Sequence, residues 1–506
     1  MADNEKQFEI DIEASLTSAE GGWQKATDAG YRAGIQVDSM GVFQENYALD
    51  IETLCAFVKA TQPVAWALFE KRCKSDPQKK FYKAFQNAVD MNGLVNVLRH
   101  GFKHRGQEFK VIYFKPETEL NQVSLANYGK NICQCIRQWH YTHKNKNSVD
   151  MMLAVNGIPL VAIELKDQLT GQNVDNAITQ WMTDRDPRED AFQFNRRILI
   201  YFAVDLYRVA MTTRLQGTKT WFLPFNQGSN GPGVDGGAGN PQNPDGGYVT
   251  AYLWEDVLQK DRFLDILQKF ISYQKETKKT VMPDGKTQIN VTEKIIFPRY
   301  HQLDVVRKLV AHTKENGPGH NYLIQHSAGS GKSNSIAWTA YRLASLHDEM
   351  NKPVFASVII VTDRTVLDRQ LQDTISSFDH TLGTVETYNA ACAAGEDTAF
   401  GKKPEYLDPI GEGPYYTIQV KTEILNTFGG LCVTMQTLSV ISPSLEKRRY
   451  LYGKLVQCII SMTLFASAIL IKTRRWLSPI PISIVSALIL MKLVVKRSRF
   501  SRRIHV

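Results

Sequence analysis

The apolar positions divide the chain into stretches of different period. Residues 1–45 show little periodicity and read as an irregular, partly polar segment. From 46 to 225 the pattern mixes helix and strand. Leu49, Leu54, Phe57 and Val58 recur at helical spacing. Two strongly apolar runs, SVDMMLAV and IPLVAIEL, flank Asn156-Gly157, which predicts a β-hairpin. Residues 226–248 are dense in Gly, Asn and Pro and predict a long loop with no regular element. Helical spacing resumes over 249–275. From about 290 onward strand-like runs (YLIQ, ASVIIVT, LCVTM) alternate with helical ones (SIAWTAYRLASL, RTVLDRQLQDTI). That alternation predicts a parallel sheet with crossover helices.

Composition changes this picture only at the end of the chain. The 506 residues are 43% hydrophobic and 22% charged, with a formal net charge of +9. After Glu446 there are 13 Lys and Arg and no Asp or Glu, so residues 1–446 carry 47 basic against 51 acidic side chains. The body is slightly acidic, and a nucleic-acid surface on it must be local. The final 60 residues hold two apolar runs, Leu455–Ile471 and Trp476–Met491, separated by Lys472, Arg474 and Arg475. Each is shorter than the roughly 20 residues that a spanning helix needs, so no membrane association is expected. The N-terminus has no secretory pattern, and the seven cysteines include no CxxC pair. Both features point to the cytoplasm.

Two constellations carry chemistry. The first is Asp150 on one hairpin strand with Glu164 and Lys166 on the other. Glu164 and Lys166 are two apart and share a strand face. A two-residue turn would pair 150 with 163 and put Glu164 on the opposite face, whereas a three-residue loop at 156–158 would pair 150 with 164. The second register is the one adopted, with Gly157 as the left-handed residue of a bulged turn. Two carboxylates holding Mg²⁺ and a lysine steadying the reacting phosphate make a set suited to phosphodiester hydrolysis. The second constellation is Ser327-Ala-Gly-Ser-Gly-Lys-Ser333 between a predicted strand, Tyr322–Gln325, and a predicted helix. Ser327, Gly329, Ser330 and Gly331 can cradle phosphates with backbone N–H groups, Lys332 can reach the terminal phosphates of ATP, and Ser333 can hold Mg²⁺. The usual first Gly of such a loop is His326 here. Upstream, Gln302 in FPRYHQ resembles the adenine-reading element of superfamily 2 helicases. Downstream, Thr362 and Arg364, at the carboxyl end of VIIVTDR, resemble a helicase motif that touches the DNA backbone.

From about Glu45 to Pro443 these segments together resemble the restriction subunit of type I restriction–modification enzymes. The similar stretches include NGIPLVAIELKDQLTGQNVDNAITQW, QHSAGSGKSNSIAW and VTDRTVLDRQLQ. The resemblance implies an α/β protein: a PD-(D/E)xK nuclease domain at 46–275, after an N-terminal segment 1–45, then a RecA-like parallel-sheet lobe at 290–446. It implies that Asp150, Glu164 and Lys166 form the nuclease triad, with Gln180 and Trp181 where the family has a Gln and an aromatic. It further implies ATP and Mg²⁺ as cofactors and double-stranded DNA as substrate, with methyltransferase and specificity subunits as partners. In the family, ATP-driven translocation also takes a DEAH-like acidic motif and a second lobe, neither of which matches here. Residues 447–506 match nothing in the family. The sequence therefore reads as C-terminally truncated and motor-deficient. Its tail is either a frameshifted reading frame, a membrane hairpin or a natural variant. A non-catalytic ATP- and DNA-binding remnant is the alternative.

Overall fold

The computed structural model describes residues 2–28, 36–37, 43–45 and 48–362, except 74, 119, 143, 229–237, 244–245, 282–286, 328 and 356–357, together with 385–388, 407–409, 416–418 and 430–434. The chain divides into two compact units, 1–301 and 302–506.

The first unit is organised by a seven-stranded mixed sheet. Its order is β1 (Gln24–Ala26), β6 (Cys133–His140), β7 (Ser148–Val155), β8 (Ile158–Leu165), β9 (Ile200–Val204), β10 (Val209–Thr212) and β11 (Leu223–Pro224). The pairs β1–β6 and β8–β9 are parallel, and the rest are antiparallel. β7, β8 and β9 are almost continuously buried, in keeping with strands covered on both faces. Helix α7 (Val174–Thr183) lays Val174, Ala177 and Trp181 on one face of the sheet, against Met152, Ala162, Tyr201 and Ala203. That spacing is the i, i+3, i+7 stripe of a surface helix. Trp181 is fully buried, and its indole N–H donates to the Phe202 carbonyl.

The predicted helix near residue 50 is α2 (Ile51–Thr61), capped by Asp50. It begins a helical layer with α3 (Pro63–Cys73), α4 (Pro77–Asn92) and α5 (Leu94–His100). The hairpin of β4 (Phe102–His104) and β5 (Gln107–Phe109) and helix α6 (Gln122–Gly129) follow. Strands β2 (Gln36–Val37) and β3 (Phe43–Glu45) pair with each other.

Two sequence expectations are corrected in this unit. The N-terminal segment is not irregular, because Ala2–Leu16 forms helix α1. Its apolar stripe is only Phe8, Ile12 and Leu16, and Glu9 and Glu13 are buried among them, which hides the amphipathic pattern. The helical run predicted over 249–275 ends earlier. It is a short π-turn at Leu253–Val257 and helix α8 (Lys260–Lys269). The chain then forms a hairpin of two ten-residue strands, β12 (Ser272–Val281) and β13 (Thr287–Ile296). Pro283-Asp284-Gly285 between the two arms is the turn signal for it.

In the second unit, α9 (Tyr300–Asn316) leads to the glycine-rich segment and α10 (Lys332–Ala344). Strands β14 (Ile359–Thr362), β18 (Gly430–Thr434) and β15 (Val385–Tyr388) form a parallel sheet in that order. A short antiparallel pair, β16 (Leu407–Pro409) and β17 (Tyr416–Ile418), is also present. The parallel sheet matches the expectation. The predicted strand Tyr322–Gln325 does not: the segment is coil, paired with no described strand. Leu323 is 81% exposed there, so the burial that would hold it as a central strand is missing. Arg364 and the tail 447–506 lie outside the described residues, as does the side chain of Thr362.

Candidate active site

The hairpin that carries the triad turns in two residues, not three. Asn156 and Gly157 have φ of 51° and 80°, the paired positive values of a tight hairpin turn, and Val155 pairs with Ile158. The turn is fixed from outside. The Asn156 amide donates to the carbonyl of Val111 and its oxygen accepts from the Ile132 N–H, while the Gly157 carbonyl accepts from the Asp50 N–H. A bulge then restores the register. Ala154 pairs with Pro159 and Leu153 with Val161, so Leu160 is the extra residue. Beyond the bulge Met151 faces Ile163, and one further step puts Asp150 opposite Glu164. The two carboxylates therefore meet as expected, but through a bulge four residues away rather than a longer loop.

Glu164 is fully buried and Asp150 nearly so. An Asp150 oxygen accepts from the Leu165 N–H at 2.7 Å. Burial first, then the Asp150 charge beside it, push Glu164 well above the usual carboxylate range, and Arg185 pulls it back. Two acceptor-only groups this close call for a proton or a cation between them. Glu164 Oε2 is buried and has no hydrogen-bond donor among the described residues. A divalent cation fits this pair of carboxylates. No group of three or more His, Cys, Asp or Glu forms a ready cage among the described residues. Mg²⁺ does not need one, because it keeps several waters and binds through one or two carboxylates.

Lys166 comes directly after β8, its N–H bonded to the Val204 carbonyl and its amine 3.3 Å from Glu5 on α1. Gln180 is half-buried, with no described side-chain contact to Asp150, Glu164 or Lys166. The residue that reaches the site from beyond α7 is Arg185. Its Nε and Nη2 both donate to Glu164 Oε1, at 2.9 and 2.6 Å, and Nη2 also donates to the Ser148 carbonyl at 2.7 Å. Sequence analysis missed it, and the only hint was that a buried Glu needs a cationic partner.

A second layer was also missed. Gln138 has φ of 50°, a costly conformation for a non-glycine residue, between Arg137, which faces Met151, and Trp139, which faces Val149. Its amide donates to Glu9 at 2.7 Å and to Asp150 at 3.3 Å, and its oxygen accepts from the Ser148 hydroxyl. Glu9 is raised by burial and by the nearby Asp150 charge, and Arg137 bonds it.

The glycine-rich segment is a different kind of site. Gly329 and Gly331 have φ of 75° and 79°, and Gly331 is the N-cap of α10. The Lys332 amine donates to the carbonyls of Ser327 and His326 at 2.7 and 3.2 Å. Ser333 lies in the first turn of α10 and is half-buried; Ser330 is buried. Gln302 is buried against the loop, its amide donating to the Gly331 and Ser330 carbonyls at 2.8 and 3.2 Å.

Two family models match separate stretches of the chain. Residues 52–220 match the type I restriction enzyme R protein N terminus, and residues 301–393 match the SWI2/SNF2 ATPase family. A type I restriction enzyme HindI endonuclease subunit from Haemophilus influenzae is 26% identical over 271 residues, which is 50% of this chain and 22% of that protein. A putative type I restriction enzyme MjaVIIIP endonuclease subunit from Methanocaldococcus jannaschii is 27% identical over 275 residues, again 50% of this chain and 22% of that protein. A shorter match, 29% identical over 93 residues, is to a vinyl phenol reductase from Lactiplantibacillus plantarum and covers 18% of this chain and 19% of that protein. Nothing in the described fold accounts for it. The chain thus spans under a quarter of the length of the restriction subunits it matches. Residues 52–220, about a third of the chain, are thus similar to the N terminus of type I restriction enzyme R proteins.

Proposed function

We propose that this chain supplies the DNA-cleaving centre and an ATP-binding lobe of a type I restriction enzyme. The observation that carries the nuclease reading is the Asp150–Glu164 pair: two buried carboxylates side by side, one oxygen without a donor, at the end of a hairpin that also bears Lys166. Asp150 and Glu164 would hold Mg²⁺, which supplies polarisation of the scissile phosphate and of a water when bound. The Asp150 carboxylate is aimed by the Leu165 N–H and the Gln138 amide. Lys166 would leave Glu5 and stabilise charge on the phosphate oxygens. Gln180 is a weaker candidate than Arg185 for support of the triad, because Arg185 makes the contact.

The second unit would be a RecA-like lobe of the superfamily 2 type. Backbone N–H groups of Ser327, Gly329, Ser330 and Gly331 would take the phosphates of ATP. Lys332 would exchange its two carbonyl partners for phosphate oxygens, and Ser333 would hold the accompanying Mg²⁺. Gln302 buttresses the loop, so adenine reading by this residue requires its amide to turn outward. Thr362 and Arg364 are proposed DNA-backbone contacts. Double-stranded DNA is the proposed substrate. Methyltransferase and specificity subunits are the proposed partners, by analogy with the restriction subunits matched.

Incubation of the 506-residue chain with duplex DNA tests the nuclease reading. Strand cleavage should require Mg²⁺ and disappear in Asp150→Asn and Lys166→Ala. Cleavage by a folded Asp150→Asn protein equal to wild type would overturn the assignment. A chain that binds ATP and DNA but never cleaves under Mg²⁺ would favour the remnant reading, in which Arg185 and Glu5 permanently occupy the triad.

A further inference from the structure

We infer that Arg185 is a positioning residue for metal binding at the nuclease centre, holding Glu164 by one carboxylate oxygen so that the other is presented to a divalent cation. The inference deepens the metal-site reading of Asp150 and Glu164 and rests on it.

Three features of the contact support it. First, the guanidinium places two of its nitrogens on the same oxygen, Oε1, at 2.9 and 2.6 Å. A plain buried ion pair of Arg with a carboxylate commonly uses both oxygens in a two-pronged match. Here the second oxygen, Oε2, is fully buried and has no donor among the described residues, with the acceptor carboxylate of Asp150 beside Glu164. An acceptor abandoned in that way is costly unless something else satisfies it. Second, Arg185 is itself fixed. It is 4% exposed, its Nη2 is anchored on the Ser148 carbonyl at 2.7 Å, and its guanidinium lies 5.6 Å from the centre of the Tyr141 ring. Ser148 begins β7, two residues before Asp150, so Arg185 ties the backbone of the Asp150 strand to the side chain of Glu164 on the next strand. Third, the elements set its place. Trp181, one turn earlier, is locked in the core and bonded to Phe202, so the chain leaving α7 delivers Arg185 to the carboxylate end of the hairpin.

The electrostatic consequence is opposite to mere neutralisation. A cation at Oε2 would bring a further positive charge near the guanidinium. Arg185 is therefore useful to metal binding only by fixing direction, and a fixed fork does this better than a mobile ammonium. Replacing Arg by Lys keeps the charge and loses the fork. Replacing it by Gln keeps a donor and loses the charge.

Titration of Mn²⁺, as a probe for Mg²⁺, into the nucleotide-free 506-residue chain tests the inference, with folding checked by thermal melting in chelator. Asp150→Asn should abolish binding. Arg185→Gln should weaken it at least tenfold, and Arg185→Lys about threefold, with the number of ions bound unchanged. Wild-type affinity in a folded Arg185→Gln protein, with Asp150→Asn still abolishing binding, would overturn the positioning role and leave the nuclease reading intact. Unchanged binding in Asp150→Asn would instead remove the metal-site reading itself. If Arg185→Gln does not fold, Arg185→Lys decides: weaker binding by a folded protein supports the role, and wild-type affinity overturns it.

Discussion

The two candidate sites of this chain would both handle phosphate groups, and they are built from opposite materials. The centre on β7 and β8 is made of side chains. Asp150, Glu164 and Lys166 are buried, and each is held by a named partner: Gln138 and the Leu165 N–H, Arg185, and Glu5. The loop before α10 is made of backbone. Its proposed working groups are backbone N–H donors around two left-handed glycines, with one partly exposed lysine bonded to the loop's own carbonyls. Buried charges are tolerated only when paired, so the first site depends on the fold and the fold depends on the site. A phosphate-binding backbone loop carries no such debt, because its polar groups can bond water until ligand arrives. The same distinction explains why one site could be located from a short contiguous pattern and the other needed the sheet.

The comparison breaks first at Glu164. Removing that carboxylate leaves the Arg185 guanidinium buried and unpaired, and loss of one partner of a buried pair costs about 3–5 kcal/mol. Glu164→Ala should therefore unfold at markedly lower denaturant, measured by urea melting followed by circular dichroism. A stability equal to wild type would mean that water reaches the pair and that the site is less closed than described. The next test contrasts two glycines with nearly the same φ. At Gly157 an added Cβ would lie 2.2 Å from the Asp50 carbonyl oxygen, whereas at Gly329 nothing lies within 4 Å. Gly157→Ala should cost more than the left-handed penalty alone, about 2–3 kcal/mol, and Gly329→Ala only about 1 kcal/mol. Equal losses in the same melting experiment would remove the packing part of the argument. The smallest effect on stability belongs to Lys332→Ala, within about 0.5 kcal/mol of wild type, since a partly exposed side chain is lost. The same variant should lose ATP binding at least tenfold in a fluorescence titration with a labelled nucleotide. Retained binding would show that the loop holds phosphate without its lysine.

Several elements of both units are legible in the sequence. Leu54, Phe57 and Val58 mark helix α2, although Leu49 falls before its Asp50 cap, and two apolar runs around Asn156-Gly157 mark the central hairpin. The parallel strands β14 and β18 followed from short runs such as VIIVT and LCVTM. The coil at Tyr322–Gln325 did not, because four apolar residues in a row state a preference for burial and cannot supply the neighbouring strands that provide it. Helix α1 was hidden because its buried face carries Glu9 and Glu13, which pair with Arg137 more than a hundred residues away and, for Glu13, also with Lys25 beyond the helix.

The sequence by itself determined the chemical inventory: an acid, then an acid and a lysine two apart, and a Gly-Ser-Gly-Lys-Ser loop heading a helix. These are local facts, and local spacing with strand or helix periodicity is enough to write them down. Only the tertiary structure decided the register that brings Asp150 to Glu164, because it turns on where one extra residue, Leu160, is inserted. A shift of one position reverses every side chain of a strand, and nothing in the hairpin's nearly uniform apolar pattern marks the place. Only the tertiary structure likewise brought in Arg185, Gln138, Glu5 and Glu9. Their link to the site is a meeting across the sheet between elements distant in sequence, settled by the need of buried charge for a partner wherever the chain can supply one.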